Sequence, residues 1–331
     1  MPVPLQKPHD EFFKETFRQK DIAEAFFRHF LPKTVVEQLD LDRLQLENAS
    51  FTDENLAERF SDVVYRCSFK NQEAETILTL LLEHKTGVVK FPHLQLLKYI
   101  TNVWDAQIKQ KQNLGPVLPI LFVQGPKGVT YRPLEHYITG ATESVMPYLP
   151  RFEYVLVDLT KIPDGDIMRV QMNLLKVGLL MMKHIWDEQH ILQNAKEIFT
   201  LLAETMNLEH RQLYAHSIFV YLFSNSDLKP QEKVQIVHAM PKNLKNIAMN
   251  TLERTFFEGV EKGKLEGKLE GKLEGKLEGK LEGKLEGELL GIKKSIRQLL
   301  VHGYSPEQTA VLLDVPMALV QEVQQEMNEQ N

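Results

Sequence analysis

The chain is poor in cysteine and has no long apolar run. Of its 331 residues one is cysteine, Cys67. A single thiol makes no intrachain disulfide and no cysteine-rich zinc site, and it suits a reducing compartment, so the cytoplasm is the expected location. No stretch has the length of a spanning helix, and no membrane association is expected. The most apolar window, residues 174–185, is interrupted by Lys176 and Lys183 and reads as a core helix. The opening MPVPLQKPHDEFFKETF has no apolar h-region, so no signal peptide is expected. Positive charge is not in excess: 39 Lys and Arg against 45 Asp and Glu leave a net −6. That excludes a global basic field for nucleic acid, though not a local basic groove working with metal ions. The 11 histidines form no H-E-x-x-H pattern, and Gly125-Pro126-Lys127-Gly128 is too short for a phosphate-binding loop.

What is present is a globular composition, 43% hydrophobic and 25% charged, in a chain long enough for more than one domain. Phe12, Phe13, Phe17, Ile22, Phe26, Phe27 and Phe30 recur at helical spacing, with a break expected near Asp21 and an end at Leu31-Pro32. Residues 44–51, 61–69, 75–85, 116–123 and 152–159 read as strands, and residues 92–112 as a helix between the third and fourth. The fold class is therefore α/β, a mixed sheet flanked by helices, over residues 1–165. Residues 166–258 are helical in pattern and form an α-helical extension.

Residues 259–291 are the oddest tract. Gly-Lys-Leu-Glu repeats six times between Gly263 and Glu286, and nine of the 17 glycines fall at every fourth position from Gly259 to Gly291. A period of four makes a leucine stripe wind by about 40° per unit around a helix. Each interior glycine costs roughly 1 kcal/mol relative to alanine, and like charges fall at i,i+4. The same tract also alternates as a strand would. A long exposed helix is favoured because Lys, Leu and Glu are helix formers between helical flanks; a self-associating or disordered linker is the alternative. Residues 292–331 form a small helical segment, with Ser305-Pro306 as a helix start. Its last helix has no Lys or Arg, which suits dimerisation or docking better than reading a DNA groove.

The chemistry gathers at Asp62, Glu83 and Lys85. Twenty residues separate the first two, and each lies at the end of an expected strand. Paired as a hairpin, those strands bring Asp62 and Glu83 to one sheet edge. Two carboxylates there, with the backbone carbonyl of His84, offer hard oxygen ligands to Mg²⁺. Lys85, on the same face as Glu83, can steady a developing oxyanion. Gln95 and Tyr99 are four apart on the following helix and share its face. From spacing alone, an ordinary ion pair at a strand end would be the better account.

A wider set of residues changes that balance. His9-Asp10-x-x-Phe13-Lys14-x-x-Phe17, Leu31-Pro32, Ser50-Phe51-x-Asp53, Ser61-Asp62-x-x-Tyr65 and Leu82-Glu83-His84-Lys85 occur in the order that resembles the recombination-promoting nuclease (Rpn)/transposase family, a branch of the PD-(D/E)XK nucleases. The Gly-Lys-Leu-Glu tract and the helical tail are similar to its members as well. The resemblance implies a restriction-endonuclease-like core and a metal-dependent DNA endonuclease linked to recombination or mobile elements in bacteria. It implies Asp62 and Glu83 as metal ligands and Lys85 as the catalytic lysine. It gives Gln95 and Tyr99 as a Q-x-x-x-Y positioning motif, and Asp10 or Glu11 as an accessory acid. Mg²⁺ is the expected cofactor, with Mn²⁺ or Ca²⁺ as active or stimulatory substitutes. DNA is the expected partner, and self-association through the repeat or the C-terminal helices is a further expectation. The chain departs from the pattern in having Ser61 where the superfamily's proline stands. The alternative function is a catalytically inactive nuclease fold that serves as an accessory, assembly or DNA-binding protein.

Overall fold

The computed structural model describes residues 8–47, 63–70, 77–86, 90–140, 142–205 and 209–329, and of residues 77–83, 85, 209, 210 and parts of 258–282 the backbone alone. The chain divides into two compact units, Met1–Phe256 and Phe257–Asn331.

The first unit is mixed α/β and mostly helical. It opens with α1 (Pro8–Phe17) and α2 (Lys20–Phe30), followed by the short α3 (Lys33–Val36). The break between α1 and α2 falls at Arg18 and Gln19, close to the expected position. Five strands follow: β1 (Leu39–Leu46), β2 (Val63–Phe69), β3 (Ile77–Lys85), β4 (Val117–Val123) and β5 (Val155–Asp158). They lie side by side in chain order. β1–β2 and β2–β3 are antiparallel, and β3–β4 and β4–β5 are parallel. A parallel step needs a crossover; β3 reaches β4 through α4 (Pro92–Lys109).

The sheet is buried on both faces, each by a different partner. Val63, Tyr65, Cys67, Ile120, Phe122 and Val157 pack with the α1 and α2 phenylalanines in the main core. Residues of opposite parity, Val64, Leu121, Val123 and Leu156, pack with Leu96 and Tyr99 of α4. This follows from the two-residue period of a strand.

The main core continues into α6 (Asn173–His184), α7 (Glu188–Ala203), α8 (Glu209–Asn225) and α9 (Pro230–Ala239), reached through the single turn α5 (Asp164–Ile167). α6 is buried nearly all round, as its unbroken apolar run requires. α1 is tied to α8 by Phe12 stacked on Tyr221 at 4.1 Å and by the Tyr214 hydroxyl donating to Thr16 Oγ1 at 3.0 Å.

α10 (Lys242–Val301) is one continuous helix that contains the whole Gly-Lys-Leu-Glu tract, so the strand pattern of that tract does not prevail. The helical flanks carry the turn through it, because propagation is far cheaper than nucleation. At Gly275, Gly279, Gly283, Gly287 and Gly291 an added Cβ would meet open space, so nothing packed nearby demands glycine there. In the second unit, α11 (Pro306–Leu313) and α12 (Met317–Glu329) pack on the end of α10 through Ile296, Val320 and Val323. Ser305 caps α11 as expected, accepting from the Gln308 N–H at 3.2 Å. The acidic α12 is bound by Lys293 to Glu322 at 2.6 Å and by Arg297 to Glu326 at 2.6 Å. No helix among the described residues is long and apolar enough to cross a membrane.

Candidate active site

Asp62 lies outside the described residues. β2 begins at the next residue, Val63, whose register partner on β3 is Leu82, the neighbour of Glu83. On the other side of β3, Glu83 is in register with Leu121, His84 with Phe122 and Lys85 with Val123. Leu121 and Val123 pack with Tyr99 of α4. The helix that carries Gln95 and Tyr99 thus covers the sheet face formed by Leu121 and Val123, the register partners of Glu83 and Lys85.

α4 begins with Pro92 in its first turn, where a missing N–H costs nothing. Leu96, Tyr99, Ile100 and Val103 form its buried stripe. Gln95 stands one turn before Tyr99, and its amide donates to the Tyr99 phenol oxygen at 3.0 Å. Beside them His93 is 1% exposed and ringed by Tyr131, Tyr137, Phe152 and Tyr154. Neither His93 nitrogen nor the Tyr154 hydroxyl has a hydrogen-bond partner among the described residues. Burial pushes His93 below the ordinary imidazole value, with Glu135 acting in the opposite sense. Burial pushes the Tyr154 phenol up to about 12.

His84, one residue on from Glu83, meets the α1 side. Its ring stacks on Phe13 at 4.4 Å and its Nδ1 is 2.8 Å from Asp10 Oδ1. Asp10 therefore reaches β3 directly, whereas Glu11 is exposed on α1. A second polar chain lies alongside: His9 Nδ1 is 2.7 Å from the Tyr221 hydroxyl, which accepts from the Gln124 amide at 3.0 Å. Burial, and then the neighbouring His84, depress the His9 pKa, while Asp10 raises it. Past β4, Gly125 takes φ 139°, and its Cα approaches the Thr86 carbonyl closely enough that a Cβ would stand 2.6 Å from that oxygen.

Two contacts were not expected from the sequence. One is the Asp10–His84 bond, between residues 74 apart. The other is a group of Asp164, His184 and His190 that could hold a metal ion. Residues 166–258 read as helical throughout, so the break between α6 and α7 that brings His184 to His190 has no signal in the sequence.

The family model described as "Putative transposase, YhgA-like" matches residues 7–213. The chain belongs to this Rpn/YhgA-like family. It is 28% identical over 249 residues to the recombination-promoting nuclease RpnD of Escherichia coli O157:H7, covering 75% of this chain and 93% of the relative. It is 30% identical over 229 residues to the recombination-promoting nuclease RpnA of Escherichia coli K12, covering 66% and 73%. It is also 27% identical over 227 residues to the inactive recombination-promoting nuclease-like protein RpnE of the same strain, covering 66% and 71%. No solved structure matches the chain. This is a nuclease family, and the Rpn relatives include both nucleases and a protein named inactive.

Proposed function

We propose that this chain is a Mg²⁺-dependent DNA endonuclease, a phosphodiester hydrolase built on a restriction-endonuclease-like core and acting in DNA recombination or mobile-element movement. The observation that carries the reading is the Gln95–Tyr99 pair on α4, packed against the register partners of Glu83 and Lys85. A chance D…E-x-K spacing carries no requirement for a bonded amide and phenol on the same sheet face.

The donor set fits the cofactor. Asp62, Glu83 and the His84 backbone carbonyl offer oxygen only, which is what Mg²⁺ takes. A bound Mg²⁺ supplies Lewis acidity toward a scissile phosphate. Lys85 brings a compact cation to the charge that develops on the phosphate oxygens in the transition state. Gln95 and Tyr99 fix each other's orientation through their hydrogen bond, as a positioning pair must. Asp10 braces the strand from the α1 side through His84, a positioning role in place of the accessory acid, and Glu11 is exposed. The partner is DNA, the compartment is the bacterial cytoplasm, and the α10 repeat or the C-terminal helices provide self-association.

The test is nicking of supercoiled plasmid in Mg²⁺, Mn²⁺, Ca²⁺ and EDTA. Wild type should cut with Mg²⁺ and not in EDTA. Asp62→Ala and Glu83→Ala should each lose at least about 100-fold in rate with unchanged circular dichroism. If both variants cut at the wild-type rate, the assignment fails. A second reading, an inactive accessory, is favoured by the relative named inactive at nearly the same identity as the nucleases. DNA binding without cleavage under any of these metals would establish it instead.

A further inference from the structure

Away from that face, three side chains from three elements converge on one point. Asp164 opens α5, His184 closes α6 and His190 lies in the first turn of α7. His184 Nε2 is 2.9 Å from Asp164 Oδ2, and His190 Nε2 is 3.3 Å from the same oxygen. The two imidazoles stack with centroids 3.5 Å apart and planes 7° from parallel. One ligand atom from each residue lies within 4.8 Å of the other two. We propose that Asp164, His184 and His190 form a binding site for a transition-metal ion of the Zn²⁺ type.

The spacing suits such an ion. Tetrahedral Zn²⁺ with bonds of about 2.0–2.1 Å sets its ligand atoms about 3.3 Å apart. The two oxygen–nitrogen distances are already within a few tenths of an ångström of that edge. The donor set is two imidazoles and one carboxylate, the nitrogen–oxygen mixture of Zn²⁺ sites and unlike the all-oxygen set proposed for Mg²⁺.

The surroundings hold the ligands in place. Lys183 Nζ donates to Asp164 Oδ1 at 2.5 Å and to the Ile162 carbonyl at 2.7 Å, which fixes the carboxylate; His184 Nε2 is 3.0 Å from Oδ1 as well as 2.9 Å from Oδ2. Outer contacts of this kind orient a metal ligand. The Asp187 carboxylate accepts from the His190 N–H at 2.9 Å and caps α7, fixing where His190 starts. The His190 side chain is 26% exposed and that of Asp164 32%, so an ion and a water ligand can enter without local unfolding.

The competing account is a tie made of hydrogen bonds alone, with each Nε2–H donated to the carboxylate. The accounts differ over the rings. A bound ion must lie near both ring planes, so the stack opens on binding; a hydrogen-bonded tie stays as it is.

The experiment uses the full chain, stripped with EDTA and exchanged into chelator-free buffer. Zn²⁺ and, separately, Mg²⁺ are titrated by calorimetry, with histidine ring signals followed by NMR. The expected result is one Zn²⁺ per chain, shifts in two histidines and no competition from millimolar Mg²⁺. His190→Ala and the bulkier His190→Gln should weaken Zn²⁺ binding by about 100-fold or more, since even outer-shell changes cost 10–100-fold. Glu83→Ala should leave it unchanged, which separates this site from the nuclease assignment. The proposal is overturned if wild type takes up no stoichiometric Zn²⁺. It is equally overturned if folded His190 variants keep wild-type affinity, or if Glu83→Ala removes the binding.

Discussion

Gly178→Ala tests how α1 is held to the helices behind it. Gly178 faces Tyr214 across the junction of α6 and α8, and an added Cβ would stand 2.6 Å from the Tyr214 hydroxyl and 3.4 Å from Thr16 Cγ2. That hydroxyl is enclosed and donates to Thr16 Oγ1, which itself donates to the Phe12 carbonyl at 2.7 Å. Alanine would stabilise the helix by about 1 kcal/mol if nothing else changed. Against this, the phenol must move and leave a buried hydroxyl unpaired, about 1–3 kcal/mol. Overpacking costs a further ~1–3 kcal/mol. The net expectation is a loss of about 3 kcal/mol, or a fall in Tm of about 6–12 °C for a unit of this length. Tyr214→Phe alone should cost about 1 kcal/mol through the lost hydrogen bond. Combined, the phenylalanine vacates the space that the methyl needs, so the double variant should lie within about 1 kcal/mol of wild type. Urea denaturation of the four proteins, followed by circular dichroism, gives the coupling energy. A Gly178→Ala protein as stable as wild type would refute the reasoning, and so would additive losses in the double variant.

Gly125→Ala forces an L side chain into φ 139° and places its Cβ 2.6 Å from the Thr86 carbonyl oxygen, which is backbone and cannot swing aside. A loss of about 2–3 kcal/mol is expected, and because Thr86 follows Lys85, plasmid cleavage should fall with it; unchanged urea midpoints would contradict this. Burial places the folded pKa of His93 below the ordinary 6.5, so just below that pH the unfolded chain binds more protons and stability falls as pH falls. His93→Phe should remove up to about 1.4 kcal/mol per pH unit of that slope below pH 6.5, and an unaltered slope in urea titrations across this range would show that His93 does not titrate as described.

The strands that were legible are those whose apolar residues are contiguous and bounded by breakers. β4 lies within the apolar run that ends at Val123, before Gln124-Gly125-Pro126, and falls where the sequence places it. β1 does not. Its buried residues Leu39, Leu41 and Leu44 are separated by Asp40, Asp42 and Arg43, and its register shifts between Asp40 and Gln45. Alternation is therefore broken where a reader would look for it, and the strand begins at Leu39, ahead of the expected start at Leu44; residues 48–51 of the expected strand lie outside the described residues. That Gln95 and Tyr99 share a face of α4 was legible because an i,i+4 pair on a helix is a local fact; their hydrogen bond is what the structure adds. Asp10–His84 and Asp164–His184–His190 were not, because only tertiary packing brings those residues together.

Parity along β3 gives the E-H-K sequence a physical division of labour. In register, positions 83 and 85 match Leu121 and Val123, which α4 covers, while position 84 matches Phe122, which α1 covers. Successive residues on a strand face opposite layers. There a charged side chain would be costly, and an imidazole is tolerated because Asp10 bonds it and Phe13 stacks on it. The middle residue of the motif thus fastens α1 to the strand end on which Glu83 and Lys85 stand. The aromatic run of α1, far from the motif in sequence, becomes part of what sets that strand end in place.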